Sequence, residues 1–327
     1  MKVFLVGEAA RHRDDLAAHL DAGPELVELP PEAAHDGRHD ARIGPDDVLV
    51  SLRLDRQGGP LPPVALLHVP GAGLDGIDLD RRDPATAVCN VYEHEIPIAE
   101  YTLACLLEHA IGTTALRARM ATEPWSQVYR SRQPHGELHS RRLLLVGYGR
   151  IGRAIAARAA AFGLHVRAVD DYAASDGHAL VVPTTALHDE LGAADYVVVA
   201  CPLTDTTRGL IGGPELAVMP AHAVLVNPSR GPIVDEQALY DALRDHRIAG
   251  AFLDVWYRYP GPDGEPDAPS TLPLATLPNV WATPHSSAWT YELSQRRYAV
   301  VADNINRLRD GRPLRNLVAG PAALARE

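Results

Sequence analysis

Short runs of Val, Leu and Ala alternate along the chain with longer Ala/Arg/Leu segments. A run of a few apolar residues bounded by turn formers reads as a strand buried on both faces, so the alternation predicts βαβ units around parallel sheets, an α/β fold. Near the N-terminus, Val3 to Val6, Leu26 to Leu29, Val48 to Leu52 and Leu66 to Val69 are predicted strands. With a helical stretch around Asp14 to Leu20 and Pro/Gly-rich turns between them, they predict a small open α/β domain. A long helix is expected from about Ile96 to Met120, with Pro97 tolerated in its first turn, Glu100 complementing the dipole there, and Arg117 and Arg119 near its other end. Its apolar side chains run almost all the way round. That pattern suits a helix covered on more than one side, as a joint between domains or a dimer seam.

Pro124 to Ser140 has no sustained period and reads as a surface connection, and Tyr259 to Pro273, rich in Pro, Gly and Asp, reads as an irregular loop. Further strands are expected at Arg142 to Val146, Val166 to Val169, Tyr196 to Ala200, Ala223 to Val226, Gly250 to Leu253 and Val280 to Ala282. Six consecutive strand candidates with helical segments between them meet the requirement of a dinucleotide-binding sheet.

Composition narrows this picture by exclusion. The 327 residues give room for two domains, and 46% hydrophobic with 22% charged residues exclude global disorder. A formal net charge of -11 speaks against phosphate-backbone or anionic-membrane partners. The opening run Met-Lys-Val-Phe-Leu-Val-Gly is too short for a signal h-region, and no stretch approaches the roughly 20 apolar residues of a membrane span. The expectation is a cytoplasmic protein with no nucleic-acid or membrane partner. Cys89, Cys105 and Cys201 lack CxxC or metal-ligand spacing and read as buried thiols, with no metal site.

The most specific local signal is Gly147-Tyr-Gly-Arg-Ile-Gly152 directly after a predicted strand. Gly147 suits the tight turn, Gly149 lets backbone approach a pyrophosphate, and Gly152 permits close packing of the Ile151 to Ala161 helix, whose N-terminus favours an anion. The next strand ends in Asp170, at the distance the dinucleotide fingerprint asks for. A carboxylate there accepts hydrogen bonds from the adenosine ribose and repels a 2′-phosphate, and Asp171 adds to that repulsion, so NAD is favoured over NADP.

Several further motifs resemble the D-isomer-specific 2-hydroxyacid dehydrogenases. These are Asp195 to Gly212 after the fourth nucleotide strand, Val226-Asn-Pro-Ser-Arg-Gly-Pro-Ile-Val-Asp-Glu236, Asp254-Val, Thr283-Pro-His285, Pro70-Gly-Ala-Gly-Leu-Asp75 and Ile98-Ala-Glu-Tyr-Thr-Leu103. The resemblance implies a Rossmann NAD-binding domain of residues 97–291, including the long helix, inserted into a flavodoxin-like substrate domain of residues 1–96 and 292–327, and usually a homodimer. It implies cofactor contacts from Gly147, Gly149, Arg150, Ile151, Gly152, Asp170, Pro202, Thr207, Pro228 and Asp254. Arg230 matches the family arginine, His285 the acid/base, and Gly71, Ala72 and Gly73 the loop whose amides hold the carboxylate of a small anionic substrate. These residue types suit reduction of a 2-ketoacid, which needs a fork for the carboxylate, a group to polarise the carbonyl and a proton donor. The bland alternatives are a salt-bridged Arg230 and a His285 that fills a strand end.

One position departs from the family. Where it places a glutamate beside the histidine, just before a proline, this chain has Tyr259 before Pro260. A phenol fixes an imidazole weakly and hardly stabilises its charged form. Glu265 follows in the same loop as a substitute carboxylate. Three accounts stay open: an enzyme for an unusual substrate, a slow enzyme, or an NAD-binding regulatory protein without catalysis. Arg53 reads first as a solvated surface arginine; facing the substrate loop, it would suit a dianion such as a phosphonate or dicarboxylate. Phosphite and formate dehydrogenases share the superfamily, so a small oxyanion is an alternative substrate. Trp256, Tyr257, Trp289 and Tyr291 bracket the motifs and are candidates for shaping the pocket.

Overall fold

The computed structural model describes residues 1–56, 58–260, 266–321 and 324. The chain divides into two compact units, one of residues 1–93 and 290–327 and the other of residues 94–289. These seams lie two or three residues from those the resemblance implies.

The first unit is built on a six-stranded sheet. Its strands are β1 (Lys2–Val6), β2 (Glu25–Leu29), β3 (Val48–Val50), β4 (Leu66–His68) and β5 (Ala87–Cys89), with β13 (Leu317–Ala319) contributed by the far end of the chain. The order is β13-β5-β4-β3-β1-β2, parallel except that β13 runs antiparallel to β5. Successive residues of β1 feed opposite faces: Val3 and Leu5 pack against α1 (Arg13–Ala17) and α9 (Tyr291–Arg309), while Phe4 and Val6 pack with Leu29, Leu49 and Leu67 on the other side.

The second unit carries β6 (Arg142–Val146), β7 (His165–Val169), β8 (Leu180–Val182), β9 (Tyr196–Val199), β10 (Val224–Asn227), β11 (Gly250–Leu253) and β12 (Val280–Ala282). All are parallel, in the order β12-β11-β10-β9-β6-β7-β8. The order reverses between β9 and β6, which is where a doubly wound sheet opens a crevice at the C-terminal ends of its strands. Leu143 and Leu145 face α2 (Glu95–Ile111) and α5 (Arg150–Ala161); Leu144 and Val146 face α6 (Leu187–Ala193), α7 (Gly213–Val218) and α8 (Glu236–Arg244). Each such fully buried aliphatic side chain contributes about 2 kcal/mol of burial.

The expected single helix from Ile96 to Met120 is two helices. α2 ends at Gly112, whose φ of 70° is a left-handed cap, and α3 (Thr113–Thr122) starts after it. No residue of α3 is buried, and Leu116 and Met120 stand in solvent. Only α2 therefore has the covered surface that the apolar pattern suggested. The segment read as a plain connection holds a short helix, α4 (Trp125–Arg130). The sheet expected to have six strands gains β8 at its edge. All three cysteines are buried and unpaired.

One polar group lies in the heart of the first unit. His68 on β4 is fully buried, and the Asn304 side-chain amide from α9 donates to its Nε2 at 2.9 Å. The same amide donates to the Arg315 carbonyl at 3.0 Å, while the Asn304 Oδ1 accepts from the Arg315 N–H at 2.8 Å. Burial lowers the His68 pKa to about 4, so the folded state keeps the ring neutral. Between the unfolded value near 6.5 and 4, the unfolded chain binds a proton that the folded chain refuses. Stability that is complete above about pH 6.5 is thus lost as pH falls towards 4. Urea unfolding across this range should show the parent losing about 3 kcal/mol more than His68→Gln; parallel pH profiles for the two proteins would contradict this.

Candidate active site

The glycine loop turns at the end of β6. Gly147 has φ 102°, and a Cβ there would come within 2.7 Å of the Cys201 amide nitrogen, so both conformation and space require glycine. A Cβ on Gly152 would meet the Gly147 carbonyl oxygen at 2.5 Å, which seats the first turn of α5 on the loop. Gly149 differs: a Cβ there would meet nothing within 4 Å. The loop leaves this space open at the N-terminus of α5, beside Arg150 and Ile151, and it is the approach a pyrophosphate would use.

Asp170 follows β7 with its carboxylate already oriented. Oδ2 accepts from the Tyr148 N–H at 2.8 Å, and Oδ1 accepts from the N–H groups of Tyr172 and Ala173 at 2.8 and 2.9 Å. Oδ2, with one donor, keeps a further lone pair for a ribose hydroxyl. Asp171 instead turns onto Thr184, accepting from its N–H at 2.9 Å and its hydroxyl at 2.6 Å. After β9, the Thr207 hydroxyl donates to the Pro202 carbonyl at 2.6 Å and closes the loop that holds both.

The turn after β10 is knotted by Asn227. Its Oδ1 accepts from the Ser229 N–H at 3.1 Å, and its amide donates to the Arg230 carbonyl at 3.0 Å, around Pro228. The Ser229 hydroxyl donates to the Cys201 carbonyl, fastening this turn to the loop after β9. Arg230 thereby has extended backbone and a half-buried side chain. A Cβ on Gly231 would lie 2.4 Å from the Trp256 carbonyl oxygen, so the arginine turn sits directly on the loop after β11.

That loop holds the centre of the site. Asp254 is fully buried; its Oδ1 accepts from the Thr283 hydroxyl at 2.6 Å and the Ser286 N–H at 2.8 Å, and its Oδ2 from the Ser287 N–H at 2.9 Å. Tyr101 on α2 hydrogen-bonds to the Thr283 hydroxyl at 2.8 Å, and the Trp256 indole N–H donates to the Thr283 carbonyl at 2.9 Å. The segment after β12 is held on both sides of His285, which has a left-handed φ of 58°. A non-glycine residue in that region marks a position the surroundings over-determine.

The Tyr259 ring packs against His285 with centroids 5.5 Å apart, and its hydroxyl accepts from the Trp256 N–H at 3.0 Å. Loss of water around the imidazole lowers the His285 pKa; Asp254 pulls it upward and Arg230 pushes it down. Burial raises the Tyr259 pKa, so the phenol stays protonated at neutral pH. Near pH 7 the site therefore presents a cationic Arg230, a neutral imidazole and a neutral phenol. Glu265 lies outside the described residues.

Of the aromatic candidates, Trp256 is buried and Tyr257 donates to the Val234 carbonyl at 2.9 Å, so both brace loops. Trp289 and Tyr291 are 68% and 90% exposed. In the first unit, the Gly71 and Ala72 carbonyls accept from the Val91 N–H at 3.1 Å and the Asn90 amide at 3.0 Å. These bonds use the loop's carbonyls and not its amides. The Leu54 N–H donates to the Gly76 carbonyl at 2.8 Å, which lays the exposed Arg53 against the same loop: its Cγ would be 2.9 Å from a Cβ on Gly76. Sequence reasoning missed Asn227, Tyr101 and the anchoring role of Asp254. The Asn227-Pro228 pair carried a turn signal, while the Asp254 contacts carried none.

Residues 103–287 match the family model of the D-isomer specific 2-hydroxyacid dehydrogenase NAD binding domain. The chain is 34% identical over 258 residues to a D-3-phosphoglycerate dehydrogenase of Methanocaldococcus jannaschii, covering 77% of this chain and 47% of the relative. It is 32% identical over 289 residues to a glyoxylate reductase of Korarchaeum cryptofilum, covering 85% of this chain and 84% of the relative. The chain spans about half the length of the phosphoglycerate dehydrogenases it matches. Among solved structures, the NAD complexed form of a D-isomer specific 2-hydroxyacid dehydrogenase from Lactobacillus delbrueckii ssp. bulgaricus superposes with a TM-score of 0.75 at 25% identity, covering 97% of this chain and 100% of that one.

If Asp254 anchors the His285 segment, Asp254→Asn leaves the Ser287 N–H or its neighbours facing an amide donor. Unfolding free energy should fall by about 2 kcal/mol. NMR titration should find His285 with a still lower pKa, because the charge that raised it is gone. An unmoved His285 titration would remove Asp254 from this role.

Proposed function

The chain belongs to the D-isomer specific 2-hydroxyacid dehydrogenase family, and from that premise we propose that it is an NAD-dependent oxidoreductase moving hydride between nicotinamide and C2 of a small 2-hydroxyacid or 2-ketoacid. It works in the cytoplasm as a homodimer. The observation that carries this reading is the convergence of Arg230, Tyr259 and His285 over the Asp254 anchor, on the same strand ends as the open glycine loop. The fit to the cofactor rests on the space at Gly149 and the pre-oriented carboxylate of Asp170. Those residues, with Arg150, Ile151, Pro202, Thr207 and Pro228, would hold NAD, which when bound supplies the hydride acceptor.

In oxidation, the planar fork of Arg230 binds the substrate carboxylate together with the C2 oxygen. His285 accepts the hydroxyl proton while the C2 hydrogen departs as hydride, leaving the C2 carbonyl. A neutral imidazole is the form this direction needs, and burial beside Arg230 keeps it neutral. Reduction needs the imidazolium, which no carboxylate at position 259 supports. Tyr259 also leaves the site more positive than a glutamate would, and Arg53 lies against the substrate loop. Both features favour a second reading, in which the substrate is a dianion such as a phosphonate or dicarboxylate, or a small oxyanion.

A screen of 2-hydroxyacids, 2-ketoacids, phosphonates and phosphite, read as NADH absorbance, should find turnover. Binding of NAD with no turnover on any of them would favour a regulatory NAD-binding protein instead. In Arg230→Lys the charge remains and the fork is lost, so turnover should drop about 100-fold or more while NAD affinity holds; near-normal turnover would assign carboxylate binding elsewhere.

Ketoacid reduction by the parent should fade as pH rises through a His285 pKa below the ordinary value of about 6.5. Tyr259→Glu should raise that pKa and carry reduction to higher pH. A parent profile flat to well above neutrality would mean that another group already partners His285.

A further inference from the structure

The middle residue of the glycine loop does more than fill a gap. Tyr148 is 1% exposed; its N–H holds the Asp170 carboxylate, and its hydroxyl donates to Asp176 Oδ1 at 2.8 Å. The same Oδ1 accepts from the N–H groups of His178 and Ala179 at 2.8 and 3.3 Å, which shapes the loop between β7 and β8. The other oxygen, Oδ2, is engaged by Arg153 at 2.8 Å. Arg153 lies in the first turn of α5, its guanidinium 4.6 Å from the centre of the Tyr148 ring. An arginine is thus held over the ring of the residue whose N–H holds Asp170, with its charge answered by Asp176.

We propose that Asp176 is a second determinant of cofactor choice, a carboxylate that keeps Arg153 from serving as the cation for the 2′-phosphate of NADP(H). The proposal rests on the NAD reading above. A dinucleotide site takes a 2′-phosphate when the acidic residue at the ribose is absent and an arginine is at hand. A guanidinium matches phosphate geometry with paired donors, but one already paired with a carboxylate must break that pair first. Removing Asp170 alone therefore lifts the repulsion without supplying a cation. Removing the Asp176 charge as well releases Arg153 on the helix that starts at the phosphate-binding loop.

Asp176→Asn is a sparing change, because its carbonyl oxygen can keep the three donors now on Oδ1 and its amide replaces the oxygen that holds Arg153. Calorimetry with NAD⁺ and NADP⁺ on the parent, Asp170→Ser, Asp176→Asn, the double variant, and each Asp170→Ser background with Arg153→Gln completes a cycle. The double variant should bind NADP⁺ about tenfold or more tightly than Asp170→Ser, and Arg153→Gln should cancel that gain. With Asp176 intact, Arg153→Gln should change NADP⁺ affinity little. Equal NADP⁺ affinity in Asp170→Ser and the double variant, or a gain that survives Arg153→Gln, would overturn the proposal. The Arg153→Gln arm with Asp176 present decides the matter even if the double variant folds poorly, because a large loss there means Arg153 was never masked. Failure of the parent to bind NAD⁺ would overturn the underlying NAD reading, and is a different result from normal NAD⁺ binding without the NADP⁺ gain.

Discussion

A buried carboxylate, Asp254, organises the candidate site of this protein. Asp254 has no solvent to satisfy it, so it must be met by donors, and those it takes come from the hydroxyl of Thr283 and the backbone of Ser286 and Ser287. The loop that carries His285 is bent around this charge, left-handed backbone included. Trp256, just after β11, and Tyr101 on α2 hold the same loop, and the Trp256 backbone N–H also holds Tyr259. The loop on either side of His285 is thus arranged around one anion.

The exchange of a carboxylate for a phenol beside His285 then acquires a plain electrostatic meaning. The lone pairs of Asp254 serve the loop; its charge raises the imidazole pKa but does not overcome desolvation. A glutamate at position 259 would have added a negative charge beside the ring. With Tyr259 there, the site keeps the steric wall and loses the charge.

The sequence was most legible where structure is local. β6, β11 and β12 lie where the apolar runs placed them, and the roles of Gly147 and Gly152 follow from backbone approach at the end of a buried strand. The edge strands β8 and β13 were illegible, because three residues beside polar neighbours carry little period and form only through a partner already in place. The break at Gly112 was overlooked because an isolated glycine inside a helical pattern is compatible with either outcome. Asp254 and Asp176 were hardest. Their work is done by contacts with residues distant along the chain or by backbone donors, and neither leaves a pattern in residue types.

The pairing of His68 with Asn304 joins positions 236 residues apart, and β13 completes the sheet edge on β5 from the same distant end. The second unit lies wholly inside that interval. As the chain emerges from a ribosome, the dinucleotide sheet can close on contiguous residues, whereas the first unit waits with β1 to β5 formed only in part until α9 arrives to cover them. Until then the apolar face that Val301, Ala302 and Ile305 will cover is open to water and to chaperones. The discontinuous unit is therefore the one whose maturation depends on late synthesis, and damage to α9 would strand a nascent chain whose nucleotide-binding half is already native.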